Sequence, residues 1–133
     1  MKMLRLLVFL ACSLASLSLR AELPPSAYEA MQAKAPEFLK IEVLRVDVEP
    51  GDDATQQKIH IVAMVNDVTR TDSNLKAGDI VNIAYVVTER PKGWAGPGQV
   101  PIPVAKDQSV AYLTKEPNGD YSPAAGRMTF SQF

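Results

Sequence analysis

Hydrophobic and polar residues alternate with a period of two along much of the chain, the pattern of strands buried on one face. Leu39, Ile41 and Val43 alternate with Lys40 and Glu42, and then the phase flips: Leu44, Val46 and Val48 are apolar while Arg45, Asp47 and Glu49 are polar. A one-residue phase change predicts a β-bulge, which lets a long strand bend between two sheets or around a barrel. Pro50-Gly51-Asp52-Asp53 reads as the turn after it. A second strand is predicted from Lys58 to about Thr69. A third runs from Asp79 to Thr88, with Val81, Ile83, Tyr85 and Val87 on one face and Asn82 and Ala84 on the other.

A different period precedes the strands. Tyr28, Met31 and Ala35 share one stripe at helical spacing. Ser26 followed three residues later by Glu29 predicts a capping box, and Pro36 stops the helix. After the third strand, residues 90–103 carry Pro91, Pro97, Pro101 and Pro103 with Gly93, Gly96 and Gly98. So much proline and glycine predicts a rigid loop in place of a central strand. A strand resumes from Ser109 to Lys115. Pro117-Asn118-Gly119-Asp120 predicts a type I′ hairpin turn from its Asn-Gly pair. Residues 121–126 and Met128-Thr129-Phe130 are expected to close the chain as an edge strand.

Residues 1–21 follow neither period. Lys2 and Arg5 precede an apolar run from Leu6 to Leu19, and Arg20-Ala21 follows. The run is shorter than the roughly 20 residues that span a bilayer, so the layout predicts a secretory signal peptide. An uncleaved anchor and lipidation at Cys12 are the other readings of this segment. Removing it takes away Lys2, Arg5, Arg20 and no acid, so 133 residues at a net charge of −1 become 112 at −4, with no Cys. The expected product is a periplasmic or secreted bacterial protein. It would meet a membrane only through its export signal and fold on its core alone, without disulfides. An acidic chain with 7% aromatics is not expected to bind nucleic acid.

The expected division is a signal peptide over 1–21, a helical segment over 22–37 and a barrel domain over 38–133. The fold class is mainly β, a small antiparallel five-stranded OB-like Greek-key barrel with a short N-terminal helix. The helix usual between the third and fourth OB strands is replaced by the Pro/Gly loop. The stretch from Lys40 through Val87, with Leu75-Lys-Ala-Gly-Asp79 opening the third strand, resembles the netrin/tissue-inhibitor-of-metalloproteinases type of OB barrel. Gly93-Trp-Ala-Gly-Pro97, Val100-Pro-Ile-Pro103 and Ala111-Tyr-Leu113 resemble a small group of exported bacterial proteins. The first resemblance implies the barrel. It implies no inhibitory residues, because inhibition in that superfamily resembles a mechanism built on an N-terminal Cys and disulfides.

Candidate chemistry is sparse. His60 is the chain's one His, on the strand face shared with Val62 and Met64, and no Gly-x-Ser-x-Gly or similar motif accompanies it. Asp47, Glu49, Asp52 and Asp53 cluster at the first turn, at a spacing unlike an EF-hand loop. No cofactor is implied. Trp94 on its stiff loop, with Lys92 and Arg90 beside it and Tyr121 further on, is the expected binding set. The competing reading, that Trp94 folds back to plug one end of the barrel, is favoured because small barrels need such plugs. The expected function is a non-enzymatic exported binding module for an envelope or extracellular protein or a small ligand. The alternatives are a metal-dependent protein or small hydrolase using His60 or the Asp47–Asp53 turn, and a structural subunit of an envelope complex.

Overall fold

The structure, a computed structural model, describes residues 23–90, 93, 94, 96 and 98–132. The signal-peptide reading of 1–21, Cys12 and Lys92 lie outside the described residues. The elements are α1 (Pro25–Lys34), β1 (Glu37–Pro50), β2 (Gln56–Arg70), β3 (Ile80–Thr88), β4 (Gln108–Lys115), β5 (Tyr121–Pro123) and a 3-10 turn (Gly126–Met128). The strands close a mainly β barrel in the order β1-β2-β3-β5-β4.

The bulge lies where the phase flips. In the β1–β2 ladder Val43 faces Ala63 but Arg45 faces Val62, so Leu44 is the extra residue, left 45% exposed. Before it, Phe38–Glu42 pairs with β4 as well as β2; after it, β1 pairs with β2 alone. The bend thus carries β1 away from β4 into a sheet of β1, β2 and β3. Two further register shifts, at Phe38/Leu39 and Lys40/Ile41, leave no mark on the polar pattern. Leu39, Ile41 and Val43, the odd positions Ile59–Val65 of β2, and Val81 and Ile83 fill the interior.

Contrary to the antiparallel barrel expected from sequence, β3 and β5 run parallel, meeting at Ile83 and Tyr121. The β4–β5 turn is also not type I′. Gly119 N–H donates to Glu116 C=O at 3.0 Å, and Gly119 alone in the turn has a positive φ, +94°. Pro117 holds the second turn position at its own negative φ, which gives a type I turn followed by a glycine bulge. Met128-Thr129-Phe130 is not an edge strand. Thr129 Oγ1 donates to Gly126 C=O at 2.7 Å and winds the segment into the 3-10 turn.

The helix begins one residue early. Pro25 occupies its first turn and Pro24 its N-cap, with no side-chain capping bond. Proline lacks the N–H that would be orphaned there and presets φ, so Ser26 lies inside the helix and forms no cap. Outside the barrel, α1 docks on a second cluster of Ala35, Tyr112 and Ala125 with Met31 and Phe38. Phe38 and Tyr112 stack with centroids 4.4 Å apart. Gln32 Nε2 donates to Met128 C=O at 2.9 Å and Ser131 C=O at 2.7 Å. Arg70 Nη2 donates to Gln32 C=O at 2.6 Å, satisfying a carbonyl of the last helical turn.

Glu37 opens β1 fully buried. Thr71 Oγ1 (2.7 Å), Ser73 N–H (3.0 Å) and Ser73 Oγ (2.6 Å) donate to its Oε1, and Asp72 N–H lies 3.2 Å from both oxygens. Since Ser73 spends its one proton on Glu37, Tyr121 O–H donates to Ser73 Oγ, at 2.7 Å. Burial pushes the Glu37 carboxyl up, but the hydrogen bonds from Ser73, Thr71 and Asp72 outweigh it and hold the group below its ordinary 4.5. With the folded value depressed, the stabilisation is complete above the unfolded value. It is lost as pH falls through the folded one. Urea midpoints should therefore drop below about pH 4.5. Glu37→Gln should cost about 2 kcal/mol at neutral pH and flatten that acid limb. An unchanged limb in the variant would show that other carboxylates set it. Ile61→Ala, inside the barrel, should cost roughly 2–5 kcal/mol in the same titration.

Candidate functional site

Because Ile59 and Ile61 of β2 point inward, Lys58 and His60 must point out. Past the bulge, Asp47 and Glu49 of β1 face the same way, and Ala84 and Val86 of β3 complete the surface. Together with Asp120 from the β4–β5 turn these residues line an open cavity of about 540 Å³ across β1, β2 and β3. Cavities of several hundred Å³ are of ligand size.

Its polar groups form a row. Arg45 Nε donates to Asp47 Oδ2 at 3.0 Å, and the same oxygen lies 4.0 Å from His60 Nδ1. His60 Nε2 lies 3.2 Å from Asn82 Oδ1. The partners of His60 are thus an amide and a carboxylate, neither of which is a nucleophile for an imidazole base to activate. Lys58 Nζ lies 3.3 Å from Asp52. Three carboxylates, Asp47, Glu49 and Asp120, face one lysine, so the cavity favours positively charged groups.

The acidic turn is engaged locally. Thr55 donates both its hydroxyl and its N–H to Asp53 Oδ1, and these bonds hold that exposed carboxyl below its ordinary value. Among the described residues no group of three or more His, Cys, Asp or Glu is placed to hold a metal ion.

The Pro/Gly loop leaves β3 just past Thr88, next to Val86 on the outer face. Trp94 is 48% exposed, with the Arg90 guanidinium 4.9 Å over its ring. Its other side lies on Gly96, where an added Cβ would come within 2.4 Å of the indole. Trp94 therefore sits on the surface and does not plug the barrel. That end is closed by Tyr85, whose ring lies 6.4 Å from Phe130 and whose hydroxyl donates to Pro101 C=O at 2.7 Å. Burial pushes the Tyr85 phenol well above its ordinary range. Gln99 reaches back so that its carboxamide accepts from Thr88 N–H and donates to Thr88 C=O.

The sequence-based binding set is thus divided. Arg90 and Trp94 stand together at the surface, whereas Tyr121, 5% exposed, belongs to the barrel interior with its hydroxyl on Ser73. The cavity residues Glu49, Lys58, Ala84, Val86 and Asp120 were no part of that set. Glu49 stood out only as a member of the acidic first-turn cluster, Lys58, Ala84 and Val86 only as the outward half of their strands' alternation, and Asp120 only as a turn residue.

No protein-family model, curated protein or solved structure matches the chain.

A surface Trp and a barrel-end Tyr make opposite demands on stability. Trp94→Ala should cost no more than about 1 kcal/mol in urea denaturation, while Tyr85→Ala should cost about 3 kcal/mol or more. The reverse order would restore Trp94 as the plug.

Proposed function

We infer that the chain is an exported, non-enzymatic binding module on an OB-like barrel, working in the periplasm or outside the cell. The barrel reading is supported by the strand order β1-β2-β3-β5-β4, with β1 bent between two partners and β3 joined in parallel to β5. The same features agree with a netrin-like relationship. The export reading is carried by the basic and then apolar residues 1–21.

One observation carries the binding reading: the open cavity on the outer face of β1–β3, bordered by Asp120 of the β4–β5 turn. OB barrels present ligand surfaces on the face of their second and third strands and on the turns beside it. The Arg90–Trp94 stack lies past the end of the same strand and offers a second, aromatic contact at low ordering cost. An acidic lining suits a protein or small cationic ligand and repels nucleic-acid phosphates.

Affinity capture from the source cell's envelope extract tests this reading. Mature protein should retain a partner that both Ala84→Arg, which fills the cavity, and Trp94→Ala release, with melting temperatures unchanged. Undiminished capture by both folded variants would remove this surface from the binding role.

A further inference from the structure

A groove beside α1 holds two hydrogen-bond donors that the protein leaves without acceptors. Phe38 pairs with Arg70 across the β1–β2 ladder and with Tyr112 across the β1–β4 ladder, so the three side chains stand on one face. The Phe38 ring stacks on Tyr112 at 4.4 Å, and the Arg70 guanidinium carbon lies 6.0 Å from the Phe38 centroid. With Gln32 of α1 they line an open groove of about 290 Å³, separate from the acidic cavity and sharing no residue with it.

Tyr112 is 4% exposed, yet its hydroxyl forms no hydrogen bond among the described residues. A buried phenol ordinarily has a partner. The hydroxyl is not sealed from solvent, so it opens on the groove that Tyr112 lines. Arg70 Nη2 donates to Gln32 C=O, but its Nε is sealed with no acceptor. Among the described residues no carboxylate lies within ion-pair distance of this guanidinium. Leaving a donor of a partly buried cation unmet is costly. The charge is felt at the phenol: burial pushes the Tyr112 hydroxyl up, and Arg70 draws it partway back.

Both unmet groups are donors and one is cationic, so the species that satisfies the pair is an anion. A planar carboxylate matches a single guanidinium fork. A phosphate dianion would meet only one cation and would face Glu29, whose carboxylate also lines the groove. The stacked rings supply an apolar floor, and the volume is at the small end for ligand cavities.

We propose that this groove binds a small monocarboxylate with a flat apolar body. The carboxylate accepts from the Arg70 guanidinium and the Tyr112 hydroxyl, and the body packs against Phe38. This site goes beyond the binding reading of the acidic cavity and does not depend on it.

The test titrates the mature chain with hydrocinnamate and follows the Arg70 Nε–H and Tyr112 ring resonances. The acid should bind with a Kd on the order of 1 mM or below and move both. Hydrocinnamamide and phenethylammonium keep the ring without the negative charge and should bind at least tenfold more weakly. Tyr112→Phe keeps the stack and removes a hydroxyl that has no protein partner, so the fold should be unchanged and affinity should fall about fivefold. Arg70→Lys keeps the charge, loses the fork and should weaken binding about tenfold. Glu29→Gln should tighten it about twofold by removing a like charge. Ala84→Arg, in the other cavity, should leave it unchanged. Equal binding of the amide, no response at millimolar acid, or undiminished affinity in Tyr112→Phe would overturn the proposal. Loss of binding in Ala84→Arg would also overturn it, by moving the acid to the other cavity. If Arg70→Lys unfolds because Gln32 C=O loses its donor, Tyr112→Phe and Glu29→Gln decide.

Discussion

A carboxylate buried with no cation beside it is a severe constraint, because desolvating a charge costs several kcal/mol unless hydrogen bonds replace the lost water. Among the described residues, Glu37 is in no ion pair and meets it with donors from Thr71, Asp72 and Ser73. The start of β1 therefore dictates the path of the β2–β3 connection. Ser73 passes the constraint on, since its hydroxyl oxygen is the acceptor for Tyr121. Tyr121 is in turn the residue through which β5 reaches β3 and closes the barrel. Three segments distant in sequence are thus held by one chain of polar contacts at the end of an apolar core.

The opposite end of the barrel is organised by different means. There the Pro/Gly loop is held by a tyrosine hydroxyl on Pro101 and by the Gln99 carboxamide, which stands in for a missing strand at Thr88. The chain thus has a tightly bonded end at Glu37 and a looser end at Tyr85, with the acidic cavity on the sheet of β1, β2 and β3 that joins them.

What could be read from the sequence follows from which physical signals are local. The bulge at Leu44 was legible because period-two patterning converts one extra residue into a visible phase flip. The three long strands were legible for the same reason. The burial of Glu37 was not, since a glutamate ahead of an alternating run looks like any solvated one until its donors 34 or more residues away are known. The Asn118-Gly119 pair pointed to type I′ geometry, but Pro117 before it governs the turn. The parallel contact of β3 with β5 rests on a single bridge, too short to leave a period. At the site, Trp94 and Arg90 stood out by composition, whereas Val86 and Asp120 matter through placement alone. Tyr121 looked like a rim aromatic because nothing local distinguishes a residue that points into a barrel from one beside it.

The narrow contact of β3 with β5 has a kinetic consequence. The β1–β2 hairpin closes over a short turn at residues 51–55 and can form early from local contacts. The bridge from Ile83 to Tyr121 spans 38 residues and is one residue wide. Loop-closure entropy is high for that step and the reward in ladder bonds is small. The β3–β5 seam is therefore expected to close late on the way to the native barrel. Once closed, the seam is held by the Tyr121–Ser73–Glu37 hydrogen bonds, which tie it to the tightly bonded end of the barrel.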